Sequence, residues 1–498
     1  MTFNDLFAAA LAAAQILFSW PNIVYPLVGM ILSMTFSLFP GLTGATLMAL
    51  AIPLTVQWEP IPVMLLFGAF LGGSTFIGSI TAILFNIPGR PSNAAAALDG
   101  YPMAQKGEAR TAIGCSAAAS ALGSTVGLLV LIILLPWVYD VIVLFGPAEL
   151  LMLIIWGLTT IVILAGDSIF KGLSIAGMGL LLSFVGLDPR SAEPRYTFGI
   201  EALENGLGLV PVFLGVFALA ELFHLMRSNR STISGATSSA QLTGSVRRGI
   251  FSVFNHFPLF LSSSAIGTLV GMVPGVGGTV ASFVAYGRAA QSSKDTAKFG
   301  HGDIRGLLAP EAANDAKDGG ALIPALGFGL PGGTGTAMFL AMLAVHGIEP
   351  GREMLTSNLV LVFVLIWSLF LTNWLTSILG IGLITPLARL TTLRTDLLIA
   401  PLVLVATMGA YFYRNQVSDV VIAYCFALVG FAMKRLNWPR IPLVIALVLG
   451  PLFERNFHLV MRLEEVNRLD FFTRPIVLIL LSLMIAGFLL PKVRRPSA

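Results

Sequence analysis

Uncharged stretches carry most of this chain. They run from Leu6 to Trp58, Pro60 to Gly89, Thr111 to Tyr139, Leu150 to Ala165, Gly172 to Leu187, Asn205 to Ala220, Thr356 to Ala388, Leu397 to Tyr413 and Pro475 to Pro491. The apolar residues follow one another instead of alternating, so helices are expected in place of strands. A helix needs roughly 20 apolar residues to cross a bilayer, which predicts about ten to twelve spans plus shorter re-entrant pieces. Residues 3–18 are expected to form an interfacial or first spanning helix. Hydrophobicity is still high where N-I-P-G-R-P-S-N at 86–93 ends the second of these stretches, and G-L-P-G-G-T-G-T at 329–336 is a break of the same kind further along.

The basic stretch at 227–248 has four Arg, no acid and many Ser, Thr and Gly. It predicts a hydrophilic cytoplasmic linker, on the same side as a tail carrying Lys492, Arg494 and Arg495. The halves that flank it resemble each other. F-P-G-L-T-G at 39–44 matches V-P-G-V-G-G at 273–278, and I-P-G at 87–89 matches L-P-G at 330–332; the paired prolines stand 234 and 243 residues apart. The expected organisation is a first transmembrane repeat at 1–226 with an extra N-terminal helix, the linker at 227–248, and a second repeat at 249–498. Duplicated halves with interrupted hydrophobic segments at matching places point to a secondary transporter, with the site at the breaks. The fold class is therefore an all-α polytopic membrane protein of two repeated, inverted halves, with discontinuous helices, re-entrant hairpins and elevator-like motion.

Composition agrees. The chain has 498 residues, 56% hydrophobic and 11% charged, with net charge +4; soluble chains carry about 25% charged residues. That charge is too slight to imply nucleic acid. Cys115 and Cys425 lie in apolar runs, so no disulfide framework is expected. The start, M-T-F-N-D-L-F, lacks a basic region, so a cleaved signal is not expected.

The breaks carry the candidate chemistry. Proline lacks the N–H donor and glycine tolerates angles closed to other residues, so the pair stops a helix. Freed backbone groups in lipid must then face protein, water or ligand. Helix N-termini after Pro88–Gly89 and Pro331–Gly332 would offer donors to an anion. The expected solute-binding set is Thr43, Asn86, Pro88, Gly89 and Ser92 from the first half, with Gly278, Thr279, Gly332, Gly333, Thr334 and Thr336 from the second. The expected ion-binding set is Gly44, Thr46, Ser79, Asn86, Asn314 and Asp315, with break carbonyls as Na⁺ ligands. Neutral donors suit a carboxylate that must also leave. The Gly68-x-x-x-Gly72 pair reads as helix packing.

In P-E-A-A-N-D-A-K-D-G-G at 310–320, Glu311, Asn314, Asp315 and Asp318 share one predicted helical face, open to a cation or proton role. Asp318, beside Lys317, reads as solvated surface. Arg90 either anchors a loop or steers anions, and Lys106 reads as a loop anchor. His256, His301 and His346 lack ligand spacing, so no metal centre is expected. No Walker A motif, Ser-His-Asp arrangement or CxxC is found. ATP hydrolysis and other enzyme activity are not expected, and no cofactor is implied beyond Na⁺ or H⁺ as coupling ion.

The motifs G-G-S-T-F-I-G-S-I-T-A-I-L-F-N-I-P-G and A-L-D-G-Y-P-M-A-Q-K-G-E-A in the first half resemble the large permease subunit of tripartite tricarboxylate transporters, the TctA type. So do V-P-G-V-G-G-T-V-A-S-F-V-A-Y, A-P-E-A-A-N-D-A, G-L-P-G-G-T-G-T-A and H-G-I-E-P-G in the second. The resemblance implies a multi-pass protein of the bacterial inner (cytoplasmic) membrane. It implies a small four-helix membrane subunit (TctB type) and a periplasmic solute-binding protein (TctC type) as partners. It also implies import of citrate-like organic carboxylates by sodium symport, and a homodimer of the complex is a further expectation. It maps tip residues onto Asn86, Pro88, Gly89, Ser92 and Pro331 to Thr336, and first-break residues onto Pro40, Gly41, Thr43, Gly44, Pro274, Gly275, Gly278 and Thr279. Phe70 or Leu71 and Phe76 or Ile77 stand where the family usually has tyrosine, and Asp315 where Asn is common. The alternatives from other classes are a membrane subunit of an ion-pumping decarboxylase and a passive anion channel.

Overall fold

A computed structural model describes residues 2–39, 42–164, 168–188, 190–227, 243–293, 295–384, 386, 396–466 and 471–489. Pro40, Gly41, most of the basic stretch (228–242) and the tail cations lie outside the described residues. Helices make up nearly all of the regular structure. A single short hairpin, Gly186–Leu187 paired antiparallel with Pro194–Arg195, is the sheet among the described residues. The chain forms two compact units, residues 1–139 with 210–432 and residues 140–209 with 433–498. Each unit takes sequence from both sides of the basic stretch.

The first unit opens with α1 (Phe3–Phe18). Thr2 Oγ1 accepts from Asp5 N at 3.3 Å while Asp5 Oδ2 accepts from Thr2 N at 2.7 Å, a reciprocal cap that satisfies two orphan donors. Leu6, Ala9, Ala13 and Leu17 form its buried face. Then come α2 (Val24–Leu38), α3 (Gly44–Thr55), α4 (Pro60–Gly73), α5 (Thr75–Phe85), α6 (Ala94–Gln105) and α7 (Ala109–Val143). The α4–α5 pair makes one 26-residue apolar passage, Pro60–Phe85. On α7, Leu129, Ile133 and Trp137 repeat every four residues and are exposed, the pattern of a lipid-facing stripe.

The second unit contains α8 (Pro147–Leu164) and α9 (Ile169–Ser183). The chain returns to the first unit through α10 (Leu209–Phe213), a π-helical stretch at Leu214–Leu219 and α11 (Ala220–Arg227). After the basic stretch, α12 (Val246–Asn255) meets α13 (Phe257–Met272) at a bend of 80°. Then follow α14 (Gly277–Gln291), α15 (Ile304–Phe328), α16 (Thr334–Val345), α17 (Leu359–Gly382), α18 (Asp396–Arg414) and α19 (Val417–Arg435). In the second unit α20 (Ile441–Glu465) packs on α8 and α9, and α21 (Pro475–Leu489) packs on α8. Arg474 reaches the buried Glu149 at 2.9 Å, and Arg195 ties the hairpin to Glu454 at 2.7 Å.

Two helices form the core of the first unit. Every residue of α4 from Val63 to Gly73 is buried, and so is every residue of α15 from Gly306 to Gly327. Gly68 and Gly72 let α4 approach α17. A Cβ at Gly68 would lie 2.9 Å from Ser368 Cβ, and one at Gly72 would lie 2.6 Å from Leu369 O. The packing role expected for this pair is what the structure shows. In the same way α15 lies against α7, where Gly123 and Gly127 face the backbone of Ala312 and Ala316.

Among the described residues six helices are long and apolar enough to span a membrane, or seven if the bent α12–α13 pair counts as one. That is fewer than the ten to twelve expected. The breaks leave α2, α3 and α16 at 15, 12 and 12 residues. The long helix α15 is excluded by its charges.

Candidate functional site

The second-half break and both tips interrupt their helices as predicted, α2 and α3 end and begin at Leu38 and Gly44 on either side of the undescribed Pro40 and Gly41, and the two tips have the same backbone build. At the first, α5 ends on Asn86 in the left-handed region (φ 54°, ψ 30°). At the second, α15 ends on Gly329 in that region (φ 69°, ψ 18°). Asn86 N donates to Ala82 O and Ile87 N to Thr81 O; Gly329 N donates to Ala325 O and Leu330 N to Pro324 O. Asn and Gly are the residues that accept this geometry at a helix C-terminus, and the following proline prevents the helix from resuming. Each tip then folds back on its own helix. A Cβ on Gly89 would lie 2.7 Å from Gly78 Cα and 2.9 Å from Ser37 O. One on Gly332 would lie 2.9 Å from both Ala321 Cα and Gly271 O. Gly78 and Ala321 both precede their tip glycine by eleven residues, and Ser37 and Gly271 are separated by the 234 residues that relate the first breaks. At both tips, the missing side chain makes room for backbone.

The break that precedes each hairpin meets its tip. In the second half Gly275 N donates to Pro331 O at 3.0 Å and Gly277 N to Gly332 O at 3.1 Å. These two carbonyls, expected to be free for Na⁺, therefore already accept backbone bonds. Gly333 N donates to Thr336 Oγ1 at 2.9 Å, which caps α16. In the first half Thr43 Oγ1 caps α3 by accepting from Thr46 N at 3.3 Å. Gly44 faces Ser74, whose hydroxyl accepts from Arg90 Nη1 at 3.0 Å; Thr75 Oγ1 accepts from the same nitrogen at 3.1 Å. The two assemblies are neighbours: α14 packs on residues 91–93, and Gly335 of the second tip faces Leu71 of α4.

The passage 310–320 departs most from its sequence reading. Asp318 and Lys317 are both 8% exposed and paired with each other, so neither is solvated surface. The four polar residues also do not share one neighbour. Glu311 accepts from Ser79 Oγ of α5 at 2.7 Å and from Ser116 Oγ of α7 at 2.6 Å. Ser79 Oγ in turn accepts from Asn93 Nδ2 at 2.7 Å. Asn314 lies toward Gly278 of α14, while Asp315 Oδ1 accepts from Asn373 Nδ2 of α17 at 2.9 Å. Helices α5, α6, α7, α13, α14 and α17 all meet α15, so turning the predicted face in any direction meets protein.

The structure therefore gathers Thr43, Gly44 and Thr46 at one break, and Gly278 and Thr279 at the other. Pro88, Gly89 and Ser92 lie at the first tip, with Gly332, Gly333, Thr334 and Thr336 at the second. Asn86 is exposed as the C-cap of α5, whereas Ser79, Asn314 and Asp315 are buried along the helices below the tips. Two cations stand beside these neutral groups: half-buried Arg90 at the first tip, which the sequence left as a loop anchor or a steering group for anions, and buried Lys317, whose Cε faces Gly278. Asn373 was missed altogether. A lone amide in a long apolar helix carries no spacing signal, and only its polarity there could have marked it. A surface cavity lined by Lys106, Glu108, Arg248, Lys298 and His301 among others includes none of the break residues.

Two proteins of Agrobacterium vitis are similar to the chain. One is described as an uncharacterized 52.8 kDa protein in the TAR-I ttuC' 3'region. It is 32% identical over 486 residues, which cover 95% of this chain and 94% of the relative. The other, an uncharacterized protein in the TAR-II ttuC' 3'region, is 33% identical over 231 residues, covering 46% of this chain and 96% of the relative. No solved structure matches. Residues 23–445, the span that holds both tips, both preceding breaks and the buried acids of α15, match the Tripartite tricarboxylate transporter TctA family, and the chain belongs to that family.

Proposed function

We propose that this chain is the large membrane subunit of a binding-protein-dependent secondary transporter in the bacterial inner membrane. It imports an organic carboxylate by alternating access, coupled to an ion gradient, with Na⁺ as the leading candidate. The observation that carries the reading is the matched build of the two tips, each with a left-handed cap, a Pro-Gly turn and a glycine seated on backbone eleven residues earlier. Matched interruptions in two halves fit an internal duplication, here read as inverted, with a solute held between half-helix ends. Arg90 at the first tip and the N–H groups opening α16 supply positive potential for a carboxylate. The partners of this arrangement are a small TctB-type membrane subunit and a TctC-type binding protein that delivers the solute.

Uptake by proteoliposomes holding both membrane subunits, supplied with the binding protein and an imposed ion gradient, tests the reading. Saturable uptake that needs both the gradient and the binding protein is expected. Gly89→Leu and Gly332→Leu, which force a side chain onto backbone less than 3 Å away, should abolish it while the protein still folds. Uptake with all gradients collapsed would refute coupling, and normal uptake by both variants would remove the tips from the mechanism.

A further inference from the structure

Asp99 of α6 and Tyr286 of α14 stand in two stretches that the sequence singles out, L-D-G-Y-P-M-A and A-S-F-V-A-Y, yet neither lies at a break. Asp99 is 0% exposed. Its Oδ1 accepts from Gly302 N and Asp303 N, both at 2.8 Å, and its Oδ2 accepts from Tyr286 Oη at 3.0 Å. One carboxylate thus joins α6, the turn that opens α15, and α14. The Tyr286 hydroxyl also accepts from Gly300 N, and its ring stands edge-on to Phe299 at 5.8 Å. A Cβ on Gly306 would fall on Asp99 Oδ2, so only glycine lets the first turn of α15 pass the carboxylate.

The bonds to Gly302 and Asp303 build the turn before α15, and an architectural role explains them. The bond to Tyr286 does something those two do not: it crosses between two half-helices. Helix α14 opens at the second-half break, and α6 follows residues 91–93 of the first tip. Those residues already pack on α14 beside the site. At 1.5 Å of rise per residue, Asp99 lies about 9 Å beyond Asn93 and Tyr286 about 14 Å beyond Gly277. The pair is therefore a second point of contact, away from the site. Two rods that touch at one point swing about it, and a second point fixes the angle between them. That angle decides where the N–H groups at both helix starts are aimed.

We propose that Asp99 and Tyr286 are positioning residues for solute binding. Their hydrogen bond sets the angle between α6 and α14, and with it the spacing of Ser92 and Asn93 from Gly278 and Thr279. Neither residue touches solute. The role in binding rests on the transport reading above, whereas the tie itself rests on the geometry alone.

Tyr286→Phe tests this, because it removes the bond between the helices and leaves both backbone bonds of Asp99 in place; Gly300, which is exposed, turns to water. In the full chain in detergent the variant should keep a Tm close to that of the wild type. Hydrogen exchange should speed up over residues 277–286 of α14 and stay unchanged over residues 304–316 of α15. In proteoliposomes with the partner subunits, the KM for uptake should rise several-fold while the maximal rate stays near the wild-type value. Radiolabelled succinate, malate and citrate, each offered singly, are the probes. Asp99→Asn should match the wild type in both readouts: its carbonyl oxygen still accepts from Gly302 and Asp303, and the Tyr286 hydroxyl turns to accept from its amide. Asp99→Ala, which loses all three bonds, should melt lower; if it does not fold, the other two variants decide. Wild-type exchange or a wild-type KM in Tyr286→Phe would overturn the positioning role. So would a fall in maximal rate that tracks a lower Tm, the mark of a bond that only builds the fold. Uptake of none of the three probes by the wild type would remove the carboxylate reading, and exchange alone would then decide whether the tie holds α14.

Discussion

Glu311 offers the strongest test of how the core of the first unit is held. It is 1% exposed, and its two carboxylate oxygens are taken by Ser79 and Ser116 from different helices at 2.7 and 2.6 Å. Ser79 Oγ already accepts from Asn93 Nδ2, so its own hydrogen is directed to Glu311. Leaving a buried polar group without its hydrogen-bond partner costs about 1–3 kcal/mol, so deleting both hydroxyls should remove about 2–6 kcal/mol. Net stabilities are about 5–15 kcal/mol, so the loss is large enough to measure. The double variant Ser79→Ala/Ser116→Ala should be destabilised by that amount when Glu311 is present. In a Glu311→Met background the same pair should cost far less, because no carboxyl oxygen is left without a donor. Unfolding can be followed in mixed micelles by alkylation of Cys115, which is buried beside Ser116, in a Cys425→Ser chain. If the cycle closes additively within about 0.5 kcal/mol, the three groups are not coupled and the network is only a contact.

Three further outcomes follow from other parts of the structure. Arg90→Gln should raise the KM for carboxylate uptake at least about tenfold, the loss of one charge-assisted bond, with little change in folding; an unchanged KM would place Arg90 outside the solute path. Arg474→Leu leaves Glu149 buried without its cationic partner, though Gly146 N still donates to it, and should cost about 2 kcal/mol in thermal unfolding, a value kept low because Arg474 is itself 39% exposed; Glu149→Gln should restore most of it. Asp188, in the exposed turn, is held below the usual carboxylate range by the N–H groups of Arg190 and then Ser191. Its support for the hairpin is therefore complete above the unfolded value near about 3.9 and lost as pH falls through the lower folded value. Hydrogen-exchange protection at residues 186–188 and 190–195, taken relative to the intrinsic rate at each pH, should fall on acidification in the wild type but be already low and insensitive in Asp188→Asn.

The breaks were legible because Pro-Gly in an apolar run has a local cause that no tertiary contact can remove. The same local rule gave the left-handed caps at Asn86 and Gly329, where the following proline forbids continuation. What surrounds a helix is a different matter. Periodicity placed Glu311, Asp315 and Asp318 in one stripe, yet nothing in the local sequence says that α7, α13, α14 and α17 close around it, so Asp318 read as solvated. Asn373 and Ser120 are single polar residues in apolar helices, and they gain meaning only from meeting Asp315 across a contact more than fifty residues distant in sequence. The two compact units, each assembled from segments on both sides of the basic stretch, likewise depend on long-range packing that linear order does not display.

The reciprocal support of the two long core helices has a consequence for how the protein is made. Helix α4 presents its glycines to α17, and α15 rests on the glycines of α7, so each finds its seat on sequence from beyond the basic stretch or before it. During synthesis the N-terminal portion must therefore wait in the bilayer with its small-residue groove unfilled until α15 and α17 emerge. Neither portion would survive quality control alone, whereas the two expressed as separate polypeptides, cut between 228 and 242, should find each other and reassemble.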